Sequence, residues 1–251
     1  MTIFDELAGA LTGTDGDRPP LLLIHGLTFD RRQWDPLLRE LPGRRALALD
    51  LPGHGESPRR AGYRAAEVID LLHRSAVAAG LDAPIVVGHS LGAVLATGYA
   101  ARFPARGVLN LDQPLLLGPF GEHVRRSAPM LRDDRWRRVW DGLLAGMGVE
   151  ALPEEGRRLV ESCEPRADQL LDHWGEILEL PDEVLAARVR DELAAIDAHD
   201  IPYRWVTGHE PPAAYRAWFA SAAPRAETVL LPGGHFPHLS HPAAIATLLT
   251  D

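Results

Sequence analysis

The sequence predicts an α/β protein with a mostly parallel central sheet flanked by helices. Three features carry that prediction. Short, near-continuous apolar runs alternate with segments of helical period, the pattern of parallel strands covered on both faces. A serine between two glycines stands where one such run gives way to a helix, in "IVVGHSLGAVLATGYA" (Ile85 to Ala100). A long stretch without strand signal then interrupts the alternation once, from about Pro114 to Asp200.

The opening "MTIFDELAGALTGTDGDRPP" has little strand signal. It also lacks a basic leader followed by an apolar core, and no later run approaches the roughly 18 apolar residues of a membrane span. A soluble, cytoplasmic protein that engages no membrane is the expectation. "PPLLLIHG" (Pro19 to Gly26) is the first clear strand, and Arg31 to Leu41 has helical spacing. "RRALALD" (Arg44 to Asp50) is the next strand, followed by a helix from Tyr63 to Ala79. "APIVVG" (Ala83 to Gly88) leads through the serine turn into a helix from Leu91 to Phe103, and "RGVLNLD" (Arg106 to Asp112) follows. Inside the interruption, "DRWRRVWDGLLAGM" and "PDEVLAARVRDELAAIDAH" have helical apolar spacing, with Pro153, Pro165 and Pro181 as punctuation. The strand–helix rhythm resumes with "IPYRWVTG" (Ile201 to Gly208), a helix from Ala213 to Ala222, "ETVLLPG" (Glu227 to Gly233) and a helix from Pro242 to Leu249. The implied organisation is a core of residues 1–113 and 200–251, with residues 114–199 favoured as a helical lid over the carboxyl ends of the strands, the alternative being extra helices that flank the sheet. In open α/β sheets chemistry gathers at those ends.

Composition narrows the chemistry. The 251 residues, 46% of them hydrophobic, suffice for one domain with a sizeable core. A net charge of −9 argues against nucleic acid as a partner. The basic residues are all arginine, which disfavours Schiff-base chemistry and phosphate-loop nucleotide hydrolysis, since both normally use lysine. With one cysteine, Cys163, neither an intrachain disulfide nor a cysteine metal cluster can form. His238 and His241 follow His235 at spacings of three without neighbouring carboxylates, so a rim or packing role is preferred for them over a metal site. No metal and no cofactor are expected. "PGHGES" lacks the third glycine and the context of a dinucleotide-binding loop.

Gly88-His89-Ser90-Leu91-Gly92 is a G-x-S-x-G turn with a strand before it and a helix after it. In that setting the glycines permit a sharp turn that leaves the Ser90 hydroxyl accessible. The helix N-terminus behind it favours developing negative charge.

Four stretches in order, "LLLIHGLTFDRRQW" (Leu21 to Trp34), "LDLPGHGES" (Leu49 to Ser57), "VVGHSLGA" (Val86 to Ala93) and "PGGHFPHLSHP" (Pro232 to Pro242), resemble the α/β-hydrolase family over nearly the whole chain. The resemblance implies that fold, with a helical cap after the sixth strand. It also implies that the family's first strands are short or missing here. It makes Ser90 the nucleophile and His235, after the last strand, its base, with the backbone N–H groups of Leu27 and Leu91 as oxyanion donors. His25 and His89 take structural roles by the same pattern, and His54 lies in a turn. Most relatives carry an aspartate after the seventh strand, but this chain reads "HEPPAAY" there and offers only Glu210. Asp112, at the end of the sixth strand, matches the position that some esterases and haloalkane dehalogenases use. It is favoured as the acid, with Glu210 the alternative.

The implied function is hydrolysis of an ester, thioester or lactone of a small apolar substrate through an acyl-Ser90 intermediate. Hydrolysis of a C–C bond in a diketone is the second reading, and a noncatalytic ligand-binding protein on the same fold is the third. Dehalogenases and epoxide hydrolases place an aspartate where Ser90 stands, and hydroxynitrile lyases of this fold usually employ a lysine. Cofactor-free peroxidase-like members share the serine arrangement. Trp136, Trp140 and Trp174 either line an apolar pocket or hold the lid helices together. The sequence carries no signal for the oligomeric state.

Overall fold

A computed structural model describes residues 2–250. Eight strands form one sheet in the order β1-β2-β4-β3-β5-β6-β7-β8. They are β1 (Thr2–Phe4), β2 (Leu7–Thr12), β3 (Leu21–Ile24), β4 (Ala46–Leu49), β5 (Ile85–His89), β6 (Gly107–Leu111), β7 (Tyr203–Thr207) and β8 (Glu227–Leu230). From β4 to β8 every pairing is parallel.

The central strands are apolar because both of their faces are covered. Leu22, Ile24, Leu47, Leu49, Val86 and Val108 face one core, while Leu21, Leu23, Ala46, Ala48, Val87 and Leu109 face the other. This is the two-residue alternation of a strand with a buried layer on each side. The helices Ala65–Ala78, Leu91–Arg102 and Ala213–Ala222 contribute to the first core, the last through Phe219. Leu37 and Ile245, from Asp35–Arg39 and Pro242–Thr247, close the second.

The N-terminal strands correct the expectation that they could be missing. β1 is short, with three residues, but β2 has six, and both pair antiparallel at the sheet edge. β2 is buried in its first half and exposed in its second, where the short β1 no longer pairs with it, so a search for continuous apolar runs passes over it. Gly9 lies so close to Leu49 and Ala48 that a Cβ there would crowd both. Other boundaries shift locally. The expected helix 31–41 is a 3₁₀ turn, Arg31–Trp34, followed by Asp35–Arg39. Pro36 fits the first turn of the second piece, where a missing N–H costs nothing.

Among the described residues, the chain between β6 and β7 contains helices and no strand. Val124, Leu131, Trp140, Leu170 and Trp174 of this stretch pack on Leu27 and Phe29 beyond β3 and on Phe236 and Leu239 beyond β8, the last in the short helix Pro237–Ser240. Its last helix, Asp182–Ala198, instead joins the main core through Val189, Leu193 and Ile196. The boundary expected at residue 199 therefore does not coincide with a break in packing.

Glu192 on that helix lies against Gly98. Burial pushes its carboxyl group up to about 7, with Arg188 opposing the shift and Glu176 adding to it. Between pH 4.5, its ordinary value, and about 7 the folded chain retains a proton that the unfolded chain has released. Its contribution to stability therefore falls as pH rises through that window. Because Glu192 is only partly shielded from solvent, a penalty on the order of 1 kcal/mol above the window is appropriate. Glu192→Gln should raise Tm by about 2–4 °C at pH 8 and leave it unchanged near pH 4. Thermal melts across pH check this; an offset that does not vary with pH would contradict it.

Candidate active site

The site begins with the turn after β5. Ser90 adopts φ 52° and ψ −121°, a strained conformation for a residue with a side chain. Two close approaches impose it. A Cβ on Gly88 would run into the Gly92 carbonyl, and one on Gly92 into the carbonyls of Ile24 and His25. Only glycines let strand and helix pass at this distance. The Ser90 N–H donates to the Leu111 carbonyl at 3.1 Å, and the Ser90 carbonyl accepts from Ala93 at 2.8 Å. The turn is thereby tied to both the sheet and the helix, with the serine half-buried at the rim.

Parallel register brings the other rim residues alongside. Gly88 is opposite Ile24 and Asn110, and Leu111 is opposite Val206. The residues just beyond β3, β5 and β6 therefore converge. Asp112 follows β6 at φ 56°, a left-handed conformation that Asp tolerates better than most residues. Its N–H donates to the Val206 carbonyl at 2.8 Å. Its Oδ1 accepts from the Gly208 N–H at 3.1 Å, and its Oδ2 lies 2.9 Å from His235 Nδ1.

His235 is held from the helical stretch by its own N–H, which donates to the Met147 carbonyl at 2.9 Å. On the other side its carbonyl accepts from His89 Nε2 at 2.8 Å. With Nδ1 engaged by Asp112, Nε2 is the ring nitrogen left for other chemistry. Ser90, Asp112 and His235 all border one cavity of about 370 Å³.

Glu210 lies elsewhere. It pairs with Arg216 on the surface, with 65% of its side chain exposed. Of the two candidate acids the structure brings only Asp112 to the imidazole.

Leu27 and Leu91 also border the cavity, and the backbone N–H of each donates to no protein group among the described residues. Thr28 at φ 68° shapes the turn after Leu27, and its N–H donates to His54 Nε2 at 3.0 Å. His54 is thus a buried brace behind the loop. His25 braces the same region, accepting from the Leu51 N–H at 2.9 Å. Burial lowers the basicity of His25, His54 and His89 and brings His238 down to about 3. These rings are therefore neutral structural parts. His238 is fully buried against Trp34 and His89, so of the two expectations for it, rim or packing, the structure selects packing. No group of three or more metal-ligating side chains occurs among the described residues.

The cavity wall is chiefly apolar. Trp140 and Trp174 both line it and pack within the helical stretch, so the two readings of these tryptophans hold together; Trp136 packs without reaching the cavity. Two lining residues carried no signal in the sequence. Glu176 and Arg188 look like ordinary helix-surface charges, yet they pair across twelve residues at 2.9 and 3.0 Å inside the cavity wall.

Fold and site together define an α/β protein in which a serine, and an imidazole paired with a carboxylate, border one cavity under a helical stretch at the carboxyl rim of a parallel sheet. The chain belongs to the alpha/beta hydrolase family, whose model matches residues 21–248. A 2-succinyl-6-hydroxy-2,4-cyclohexadiene-1-carboxylate synthase from Enterobacter sp. (strain 638) is 29% identical over 242 residues, covering 93% of this chain and 91% of that protein. A pimeloyl-[acyl-carrier protein] methyl ester esterase from Aromatoleum aromaticum (strain DSM 19018 / LMG 30748 / EbN1) is 29% identical over 263 residues, covering 94% and 98%. Among solved structures, an enzyme described as cleaving the ring of the Pseudomonas quinolone signal superposes with a TM-score of 0.79 at 21% identity, covering 97% and 96% of the two chains. No helix among the described residues is long and apolar enough to cross a membrane.

Proposed function

We propose that the chain is a serine hydrolase that cleaves an ester, thioester or lactone of a small, largely apolar substrate. The observation that carries this reading is the 2.9 Å contact of Asp112 with His235 on the same cavity as the strained Ser90 turn. Asp112 holds the imidazole so that Nε2 faces the substrate side. Nε2 takes the Ser90 proton as Oγ bonds to the carbonyl carbon, and the carbonyl π electrons move onto oxygen. The N–H groups of Leu27 and Leu91 receive that oxyanion. Collapse restores the carbonyl and breaks the bond to the alkoxide or thiolate, which leaves with the proton from His235. Water then attacks the acyl-Ser90 ester, again losing a proton to His235; collapse breaks the bond to Ser90 Oγ, which takes that proton back from His235, and the acid departs.

The helical stretch 114–199 acts in this reading as a cap. Its residues Trp140, Leu143 and Trp174 form the cavity wall facing the strand ends, where they exclude bulk water from the reacting bond.

The esterase relative supports the ester reading. The ring-cleaving neighbour gives the C–C bond reading its footing. A paired assay separates them: medium-chain p-nitrophenyl esters against a vinylogous 1,5-diketone of similar size. Preferred turnover of the esters is expected. Turnover of the diketone alone would transfer the assignment to C–C hydrolysis, and binding without turnover of either would favour a noncatalytic ligand-binding role.

A further inference from the structure

Resting on the hydrolase reading, we infer that the Glu176–Arg188 pair selects substrates whose apolar chain carries a neutral carbonyl or amide, and rejects anionic ones. Arg188 Nη1 makes both contacts to Glu176, one to each carboxylate oxygen. Nε and Nη2 have no hydrogen-bond partner among the described residues, so the guanidinium retains three donors. Arg188 lines the cavity on the wall shared with Leu185 and Val189.

Glu176 is committed to its place. Its Oε2 also accepts from the Ala65 N–H at 3.2 Å, at the first turn of the helix Ala65–Ala78, where a carboxylate is favoured. Its side chain is only 16% exposed. Charge therefore decides what the spare donors can take. Glu176 already cancels Arg188. A second carboxylate would leave one uncompensated negative charge in an apolar wall, and burying such a charge is costly. A neutral carbonyl oxygen accepts the same N–H groups without that cost.

The test compares three p-nitrophenyl esters of equal chain length: plain alkanoyl, oxo-alkanoyl with an internal ketone, and ω-carboxy-alkanoyl. Wild-type kcat/KM should favour the oxo ester over the plain one by about tenfold, the worth of one charge-assisted hydrogen bond. The ω-carboxy ester should be the poorest. Arg188→Met would strand the Glu176 carboxylate, so the Glu176→Gln/Arg188→Met pair is used, with its folding checked by thermal melting. It should bring the oxo-to-plain ratio close to one. Glu176→Gln alone removes the carboxylate that Arg188 is hydrogen-bonded to, leaving Glu192 as its neighbouring acid, and should move the preference toward the ω-carboxy ester, most clearly at a pH low enough to keep Glu192 protonated. Binding of the three esters to Ser90→Ala, read by calorimetry, keeps the inference separate from the reaction assignment. The same order of affinity without turnover in the wild type would uphold the selectivity and sink the hydrolase reading. Equal affinities, an order unchanged by the substitutions, or a wild-type preference for the ω-carboxy ester would overturn the inference.

Discussion

Ser90→Ala is expected to lower kcat on a p-nitrophenyl ester by about 10⁶-fold while leaving the fold intact, because the nucleophile of such a unit acts together with its base. The backbone argument supports an intact fold. Ser90 holds its turn through its main-chain N–H and carbonyl, and alanine retains both. The φ of 52° is unfavourable for serine and alanine alike. His235→Ala should cost nearly as much, and the double variant little more than either single one. Losses that simply add would mean that the two residues do not act as one unit. A folded Ser90→Ala protein with near-normal turnover would refute the assignment of this serine.

The second large effect concerns the acid. Asp112→Asn should reduce kcat by about 10⁴-fold, since an amide at that place favours the wrong imidazole tautomer with little change of shape. Glu210→Gln should alter kcat by less than about twofold, because its exposed pair with Arg216 contributes little. Measured side by side on one ester, the two variants give a ratio that is insensitive to small differences in folding. Circular dichroism and melting curves show whether Asp112→Asn retains its fold, since Oδ1 also accepts from the Gly208 N–H. A reversed order of effects would restore the acid to the loop after β7.

The chain shows how local patterning and long-range register divide the information. The turn at Gly88 to Gly92 is legible in the sequence because strand, glycines and helix lie side by side in it. His235 is legible because its surroundings, "PGGHFPHLSHP", form a local motif. Asp112 and Glu210 are harder to choose between, because the decision depends on the pairing of β6 with β7. That register sets Leu111 opposite Val206 and carries Asp112 to the Gly208 N–H and the imidazole, a relation between residues 96 positions apart. β2 is obscured because only half of its side chains are buried, the exposed half lying beyond the end of the short β1. Glu176 and Arg188 could not be found at all. On a helix taken alone, charged residues look the same whether they face water or a cavity, and only the contact between Glu176 on Gly175–Glu179 and Arg188 on Asp182–Ala198 places this pair in the cavity wall. The neutral state of the buried histidines is likewise a property of their surroundings. In His54 and His238 burial comes first, with neighbouring histidines adding to it, in making the ring less basic than an exposed one.

The most direct test of the central claim, that Ser90 carries the acyl group, is intact-protein and peptide mass spectrometry on acid-quenched samples taken during turnover of a slowly deacylating p-nitrophenyl ester. The account predicts a single added acyl mass, located on the peptide containing Ser90 and absent from Ser90→Ala. Turnover with the acyl mass on another residue, or an unchanged yield of adduct in Ser90→Ala, would contradict it.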